Sequence, residues 1–165
     1  MDTLNKYLTF TLGPQVFAIP IESVREVQDA VETTRIPQTP PFMLGVMNLR
    51  GTAVPVVDLK RKFGMGPTQR TINSRIAIVE GRKGDDDGLV GALADSVREV
   101  LEIDPSVIEE APRMGMRVKP DFIRGVARSG EAFVVLLDIA RIFSAEEMVF
   151  EPGPEMTAES GQEPS

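Results

Sequence analysis

The stretch that decides the fold is "FMLGVMNLRGTAVPVVDLKRKFG", residues 42–64, because the chain contains a second version of it. That version is "DFIRGVARSGEAFVVLLDIARIFS", residues 121–144. At an offset of 80 residues, the first copy matches the second identically at Phe42, Gly45, Val46, Val54, Asp58, Arg61 and Phe63. The repeat predicts that one structural unit occurs twice in the chain.

Two further blocks repeat upstream of these stretches, in the same order. "VFAIPIESVREV" (16–27) matches "LVGALADSVREV" (89–100) at an offset of 73, and "YLTFTLG" (7–13) matches "RIAIVEG" (75–81) at 68. The growing offset means that the second copy carries extra residues between matched blocks, as surface loops tolerate. We therefore expect two copies of a module of about 75 residues.

The repeated blocks are predicted to be β-strands. The first blocks run apolar or alternate and end at glycines, which favours hairpins. In "SVREV", the spacing of Ile21, Val24 and Val27 would suit a helix, but valine content and brevity favour a strand after a short turn at Pro20–Ser23. The stretch from 45 to 59 is predicted to be two strands around a tight turn at Arg50 and Gly51.

Helical turns are expected after each repeated aspartate, with a longer C-terminal helix over 138–150. Many short strands punctuated by glycine indicate a mainly β fold with two small barrels of about five strands each. We expect one domain over 1–150, with lobes near 7–74 and 75–150 and exchange of strands between them left open. The tail, 151–165, has four Glu and no Lys or Arg, so it is expected to be disordered.

Composition excludes several functions. The chain has no Cys and no His, which removes disulfides, thiolate metal sites and the commonest general base. No cofactor or metal is expected. One Tyr, no Trp and no basic stripe argue against nucleic acid binding. No apolar run reaches the roughly 18 residues that a membrane span needs, so no direct membrane insertion is expected. The absence of Cys fits a protein of the reducing cytoplasm.

Three features of the sequence could carry chemistry, apart from the hairpin arginine described next. Asp58 and Asp138 could form a carboxylate pair that shares a proton, but helix capping is favoured because neither is followed by Thr/Ser-Gly. Residues 85–87 are three adjacent Asp, and we interpret them as a solvated turn because their spacing does not suit Ca²⁺. Gly45 and Gly51 are interpreted as backbone requirements and not as a phosphate cradle.

Arg50 beside the turn admits two interpretations. It could be a solvated hairpin tip, or an anchor that donates paired hydrogen bonds to a partner. Its counterpart in the second copy, Arg128, is placed one residue out of register with it. Glu26 in the first "SVREV" is likewise either a surface charge or a contact.

The chain resembles the CheW family of bacterial chemotaxis coupling proteins. The resemblance rests on "NLRGTAVPVVDL" (48–59), preceded by "PFMLGV" (41–46) and by "YLTFTLG" and "FAIPIESVREV" within 7–27, and it extends over about 7–149. It implies two intertwined five-stranded SH3-like barrels and no catalysis. It also implies an adaptor, monomeric when free, that links the cytoplasmic tip of methyl-accepting chemoreceptors to the regulatory domain of the histidine kinase CheA and is recruited to membrane-associated receptor arrays.

The resemblance also implies contact positions. Those that match the family motif are Val24, Glu26, Gly45, Asn48, Arg50 and Gly51. An apolar groove between the barrels is expected to take a helical hairpin of the receptor. Two alternatives stay open: a scaffold of another, non-flagellar chemosensory pathway, and a carboxylate-pair hydrolase that uses Asp58 and Asp138.

Overall fold

The computed structural model describes residues 5–81, 88–110 and 118–144. Within these ranges the strands are β1 Asn5–Leu12, β2 Gln15–Pro20, β3 Val24–Asp29, β4 Met43–Leu49, β5 Thr52–Asp58, β6 Arg75–Glu80, β7 Leu89–Ala94, β8 Ser96–Ile103, β9 Ile123–Ser129 and β10 Ala132–Leu137. Two single-turn helices, α1 Leu59–Lys62 and α2 Ile139–Ile142, follow β5 and β10. No helix among the described residues is long and apolar enough to cross a membrane.

The predicted strands are confirmed, including the ambiguous "SVREV". A 3₁₀ turn at Ile21–Ser23 precedes β3, which runs as a strand to Asp29. The second "SVREV" lies in β8. In both places the first valine, Val24 or Val97, packs against the apolar core from an extended strand, and β-branched residues favour that conformation.

The strands form two five-stranded sheets, each built from both halves of the chain. One sheet has the order β8-β1-β2-β10-β9, and the other has the order β3-β6-β7-β5-β4. Parallel pairing of β2 with β10 and of β5 with β7 connects the halves. Replacing every strand by its repeat counterpart converts one order into the other, so the sheets are related by an approximate two-fold. We call them the β1 barrel and the β6 barrel after their equivalent strands.

The β6 barrel closes through the segment that follows β3, and the β1 barrel closes through the segment that follows β8. Thr34 pairs with Val46 in the β6 barrel, and Glu109 pairs with Val126 in the β1 barrel. The paired hydrogen bonds are 2.9 and 2.8 Å in both cases. These bridges join the strands at opposite ends of each sheet order, which turns each sheet into a barrel.

Two repeated glycines make this closure possible. A Cβ on Gly45, whose φ is +143°, would lie 2.2 Å from the carbonyl oxygen of Thr34. A Cβ on Gly125 would lie 2.5 Å from Cγ2 of Ile108. The interpretation of Gly45 as a backbone requirement is thereby confirmed: the closing segment crosses directly over it.

The described residues form three apolar cores. The β6 barrel encloses Met47, Leu49, Val54, Val56, Ile76, Ile78 and Leu93. The β1 barrel encloses Tyr7, Ala18, Ile103, Ala127, Val134 and Leu136. The largest cluster lies between the barrels and contains a chain of rings from Phe10 through Phe17 and Phe63 to Phe122, with centroids 5.8–6.0 Å apart. Since fully burying one such side chain stabilises by roughly 1.5–3 kcal/mol, this core binds the barrels into one body.

The ladder corrects the repeat alignment of the first strand. Ala18 pairs with Thr9 and Leu136, whereas the equivalent Gly91 pairs with Ile78 and Val56. Thr9 is therefore equivalent to Ile78, at an offset of 69 and not 68. Side chains alternate between the two faces of a strand, so the one-residue error would have exchanged barrel interior and inter-barrel core.

Some expectations end at the limits of the described residues. The prediction of a long helix over 138–150 is wrong, because α2 ends at Ile142 with Phe143 as its C-cap. Residues 145–150 lie outside the described part of the chain, as do Asp85–Asp87 and the acidic tail at 151–165.

Candidate partner-binding site

The turn between β4 and β5 consists of two residues, Arg50 and Gly51, between the paired Leu49 and Thr52. Both have positive φ, 49° and 90°. That is the pattern of a type I′ turn, whose twist suits a two-residue hairpin. The Oδ1 atom of Asn48 accepts a 2.7 Å hydrogen bond from the Gly51 N–H. The predicted tight hairpin is confirmed, and Asn48 holds the turn that presents Arg50.

Arg50 forms a forked ion pair with Glu26 of β3. Its Nη2 atom donates to Oε2 of Glu26, and its Nη1 atom lies 3.4 Å from Oε1. Gln28 donates from Nε2 to the same Oε1 at 3.1 Å. The Arg50 side chain is 70% exposed, whereas that of Glu26 is 30% exposed. The guanidinium is therefore available at the surface, while the carboxylate is half covered.

The ion pair keeps both groups charged. Hydrogen bonds from Arg50 and then from Gln28 lower the pKa of Glu26 from its ordinary value of 4.5. The carboxylate in turn raises the pKa of Arg50. Exposed pairs of this kind contribute little to folding stability because water screens them. Orientation is the main consequence of this pairing.

The pair joins two strands from opposite ends of the β6 sheet order. β3 is the first strand of that order, and the β4–β5 hairpin forms its other end. Glu26 and Arg50 are 24 positions apart in the sequence, which gives no hint of this contact. Barrel closure brings the two residues together.

Val24 does not share a face with Glu26, although both belong to "SVREV". A bulge in the β3–β6 ladder lies between them. Val24 pairs with Val79 and packs on the inter-barrel core, whereas Glu26 pairs with Ile78 of the barrel interior. The strand therefore presents these two side chains to different surroundings.

The structure thus distributes the six positions implied by the resemblance among three places. Glu26, Asn48, Arg50 and Gly51 meet at the hairpin tip, and Val24 lies at the edge of the inter-barrel core. Gly45 is buried beneath Thr34. A direct contact by each of these residues stays a prediction.

The second hairpin carries a feature that the sequence reasoning missed. Its turn is Gly130–Glu131, and not the predicted tip at 128–130. Arg128 pairs with Phe133 as Asn48 pairs with Ala53, so Arg128 is equivalent to Asn48 and lies two positions from the equivalent of Arg50. The expected one-residue shift is wrong.

Arg128 and Phe133 form a pair of their own on this hairpin. The guanidinium carbon lies 5.1 Å from the ring centroid, and Phe133 is 47% exposed. The available sequence signal was an aromatic residue, Phe133, two positions after the turn.

The two repeated aspartates cap separate helices. Asp58 Oδ1 accepts from the Arg61 N–H at 3.4 Å, and Asp138 Oδ1 accepts from the Arg141 N–H at 3.2 Å. The capping interpretation is confirmed. Asp58 is also buried, and it accepts hydrogen bonds from the Thr68 N–H at 2.9 Å and the Thr68 hydroxyl at 2.6 Å. A free acid–base pair is not favoured, because both carboxylates are engaged in capping.

In the described ranges, no group of three or more Asp, Glu, His or Cys is placed to hold a metal ion. A cavity of about 300 Å³ lies beside α2, with Glu22, Glu80, Arg124 and Asp138 in its wall. Arg25 donates to Glu80 at 2.6 Å, and Arg124 lies 4.0 Å from Asp138. Two of the three wall carboxylates are therefore already paired with arginines.

Comparison with known proteins agrees with this architecture. The profile of the CheW-like domain matches residues 6–147. Chemotaxis protein CheW of Klebsiella aerogenes is 33% identical over 145 residues, covering 87% of this chain and 84% of the relative. The probable chemotaxis protein CheW of Rhizobium etli is 31% identical over 143 residues, covering 87% and 90%.

A solved structure is also similar along nearly the whole chain. The scaffolding protein TtCheW of Thermoanaerobacter tengcongensis superposes with a TM-score of 0.78 at 32% identity, covering 89% of this chain and 92% of that one. The two barrels are thus the SH3-like pair of that fold, and the family is one of non-catalytic adaptors. By profile, by relatives and by architecture, this chain belongs to the CheW family of chemotaxis scaffold proteins.

Proposed function

We propose that this protein couples methyl-accepting chemoreceptors to the histidine kinase CheA, so that receptor signals control the kinase. It binds the cytoplasmic tip of the receptor and the regulatory domain of CheA, as a free monomer in the cytoplasm that is recruited to receptor arrays. Membership of a family of chemotaxis scaffold proteins supports this proposal. The two hairpin tips also differ, one with Arg50 and the other with Arg128 and Phe133, which suits a protein that holds two partners together.

The observation that carries the proposal is Arg50 at the tip of the β6 barrel. An arginine on a two-residue turn with positive φ projects from a rigid support, and its side chain is 70% exposed. Arginine is enriched among the residues that dominate binding energy in protein interfaces. Arg50, with Asn48 and Gly51 as its support, therefore suits a docking point for a partner.

The remaining predicted positions take different parts in this proposal. Val24 offers half-buried apolar surface at the edge of the inter-barrel core, where the apolar groove for a receptor helix is expected. Gly45 acts through the shape of the barrel, because the closing segment covers it. Only an exposed residue can make a direct contact without rearrangement.

The test measures binding and kinase activation together. The purified full-length chain is mixed with CheA and a receptor signalling fragment, and co-sedimentation and autophosphorylation are recorded. Arg50→Ala is expected to weaken binding of at least one of the two partners at least about 10-fold, which corresponds to about 1.4 kcal/mol. Failure of the wild-type chain to bind either partner at tens of micromolar would overturn the proposal.

Arg141→Ala is the matched control. Arg141 is also an exposed arginine in an exposed ion pair, 3.5 Å from Asp121, but it lies on α2. Removing it deletes the same charge and the same type of pair. Equal losses in the two variants would indicate a general charge effect and contradict a docking role for Arg50.

A further inference from the structure

We infer that the cavity beside α2 receives a basic side chain, lysine or arginine, from the receptor segment that docks along the edge of the inter-barrel core. We call this cavity the α2 recess, and its wall includes Glu22, Glu80, Arg124, Asp138 and Ala140. The inference rests on the proposed function and deepens it, because it names the chemistry that the docked segment must carry.

The first step is that the chain itself fills the equivalent position of its other half with a lysine. Lys60 and Ala140 are the second residues of α1 and α2, and Asp95 and Glu22 directly precede the serine of each "SVREV". The Nζ atom of Lys60 lies 3.7 Å from Oδ2 of Asp95, and only 19% of the Lys60 side chain is exposed. An ammonium group therefore packs beside a carboxylate at the place where the α2 recess is open.

The second step concerns the charge of the α2 recess. Three carboxylates and one guanidinium lie in its wall, so the wall is negatively charged. It stays negative when Arg25, which donates to Glu80 at 2.6 Å, is counted with it. Asp138 faces Arg124 at 4.0 Å. Glu22 is the third wall carboxylate; it is exposed, no ion pair joins it to another described residue, and it is therefore the acceptor for an incoming cation.

The third step concerns the shape of the α2 recess. Its volume is about 300 Å³, at the lower end of the range for pockets that hold small molecules, which suits one long side chain. Pro20, Leu137 and Ile139 form the apolar part of its wall. Lysine and arginine have apolar stems and charged ends, so the stem can cover apolar wall while the end reaches a carboxylate. The recess thus matches both parts of a basic side chain.

The fourth step identifies the partner. Leu137 and Ile139, in the wall of the recess, also belong to the inter-barrel core. Glu22 lies in the 3₁₀ turn Ile21–Ser23, two residues before Val24, which packs on the same core. The recess is therefore continuous with the edge along which the receptor helix is expected to dock. A helix that lies there can insert one basic side chain into the recess.

The binding test is a double-mutant cycle on the full-length chain with the receptor signalling fragment. Glu22→Gln is expected to weaken binding about 3- to 10-fold, because the docked cation loses its carboxylate. Ala140→Lys is expected to weaken binding at least about 10-fold, because the introduced side chain occupies the recess. The double variant is expected to bind within about 2-fold of Ala140→Lys, since both changes remove the same contact. Losses that multiply would overturn the inference.

Asp95→Asn is the matched control for Glu22→Gln. It removes the same charge at the equivalent position, where Lys60 already occupies the site, and it is expected to leave receptor binding within about 2-fold of the wild type. Equal losses in the two variants would indicate a general charge effect and overturn the inference, and so would a loss confined to CheA binding. If the wild type bound no receptor fragment, the proposed function would fail. Receptor binding that is insensitive to Glu22→Gln and Ala140→Lys would overturn this inference alone.

The second test uses the free protein and does not depend on a partner. A water-soluble carbodiimide couples a carboxylate to a lysine amine that contacts it, and mass spectrometry identifies the linked peptides. The link between Lys60 and Asp95 is the internal positive control in every sample. In Ala140→Lys, a link between the introduced amine and Glu22 is expected, and its absence beside the control link would overturn the inference. A wild-type link from Glu22 to Lys83, which lies outside the described residues, would show an occupant from this chain and also overturn it.

Discussion

The β4–β5 and β9–β10 hairpins have the same scaffold and different tips. Both consist of two strands joined by a two-residue turn, and both are followed by a capping aspartate and a single helical turn. One tip has Arg50 with positive φ, paired to Glu26. The other begins with Gly130, and Arg128 stacks on Phe133 beside it. Residues that maintain a barrel recur in the repeat, and residues that distinguish its outer surface do not.

The same contrast extends to the sides of the barrels. Lys60 on α1 lies 3.7 Å from Asp95, which also accepts from the Gly13 N–H at 2.6 Å. The equivalent positions in the other half are Ala140 and Glu22, and a cavity is open there. A recess thus lies where the other half has the Lys60–Asp95 pair. The two-fold relation is a property of the backbone and not of the surface.

The largest expected difference in stability between the halves concerns Gly45 and Gly125, the glycines that lie under the closing segments. Gly45→Ala is expected to destabilise by at least about 3 kcal/mol, because the new Cβ would meet backbone atoms of Thr34 at a positive φ. Gly125→Ala is expected to cost less, about 1–3 kcal/mol, because Gly125 does not have a positive φ, its nearest neighbour is the movable side chain of Ile108, and its nearest backbone atom, the Glu109 carbonyl oxygen, is 2.9 Å away. Urea unfolding of both variants measures this, and equal losses would contradict the difference in closure.

An intermediate effect is expected at the two capping aspartates. Asp58→Ala is expected to cost about 2–4 kcal/mol, because it leaves donors of Arg61 and Thr68 without their acceptor in a buried site. Asp138→Ala is expected to cost about 1 kcal/mol, since its side chain is 29% exposed and water can replace the cap. Thermal unfolding compares them. A larger loss at Asp138 would show that burial does not decide the effect.

The smallest effect on stability is expected from the titration of Glu26. This effect is specific to the ion pair of Glu26 with Arg50. Its pKa lies below 4.5 in the folded protein, so the carboxylate stabilises the fold above the unfolded pKa and this stabilisation disappears as pH falls through the folded value. In Arg50→Ala the pKa is expected to rise toward 4.5. Carboxyl ¹³C shifts recorded against pH measure both values, and an unchanged pKa in the variant would contradict the ion pair.

The strands and the barrel class could be predicted because they depend on local patterns. Alternation, β-branched residues and glycine at turns are properties of neighbouring residues. The internal repeat also predicted that the β module occurs twice. The register of β1 was missed by one residue because "RIAIVEG" is apolar on both faces, so the alternation of "YLTFTLG" could be matched to it at offset 68 or at offset 69.

The candidate site could be predicted only in part, for a physical reason. The turn at Arg50 and Gly51 follows from local sequence, whereas its support by Asn48 was found only in the structure. The contacts of Arg50 with Glu26 and of Asp58 with Thr68 join residues that are brought together by strand order and loop path. Similarly, the identical "SVREV" strands acquire different neighbours in the two barrels.

The sequence by itself determined the duplicated β module, its hairpins, its capping aspartates and its similarity to the CheW family. Only the tertiary structure decided that each barrel takes strands from both halves, that Gly45 lies under the closing segment, and that Arg50 is held by Glu26. Local propensities act over a few residues along the chain. Barrel closure acts across the sheet, and it brings the residues of the candidate site within hydrogen-bond distance.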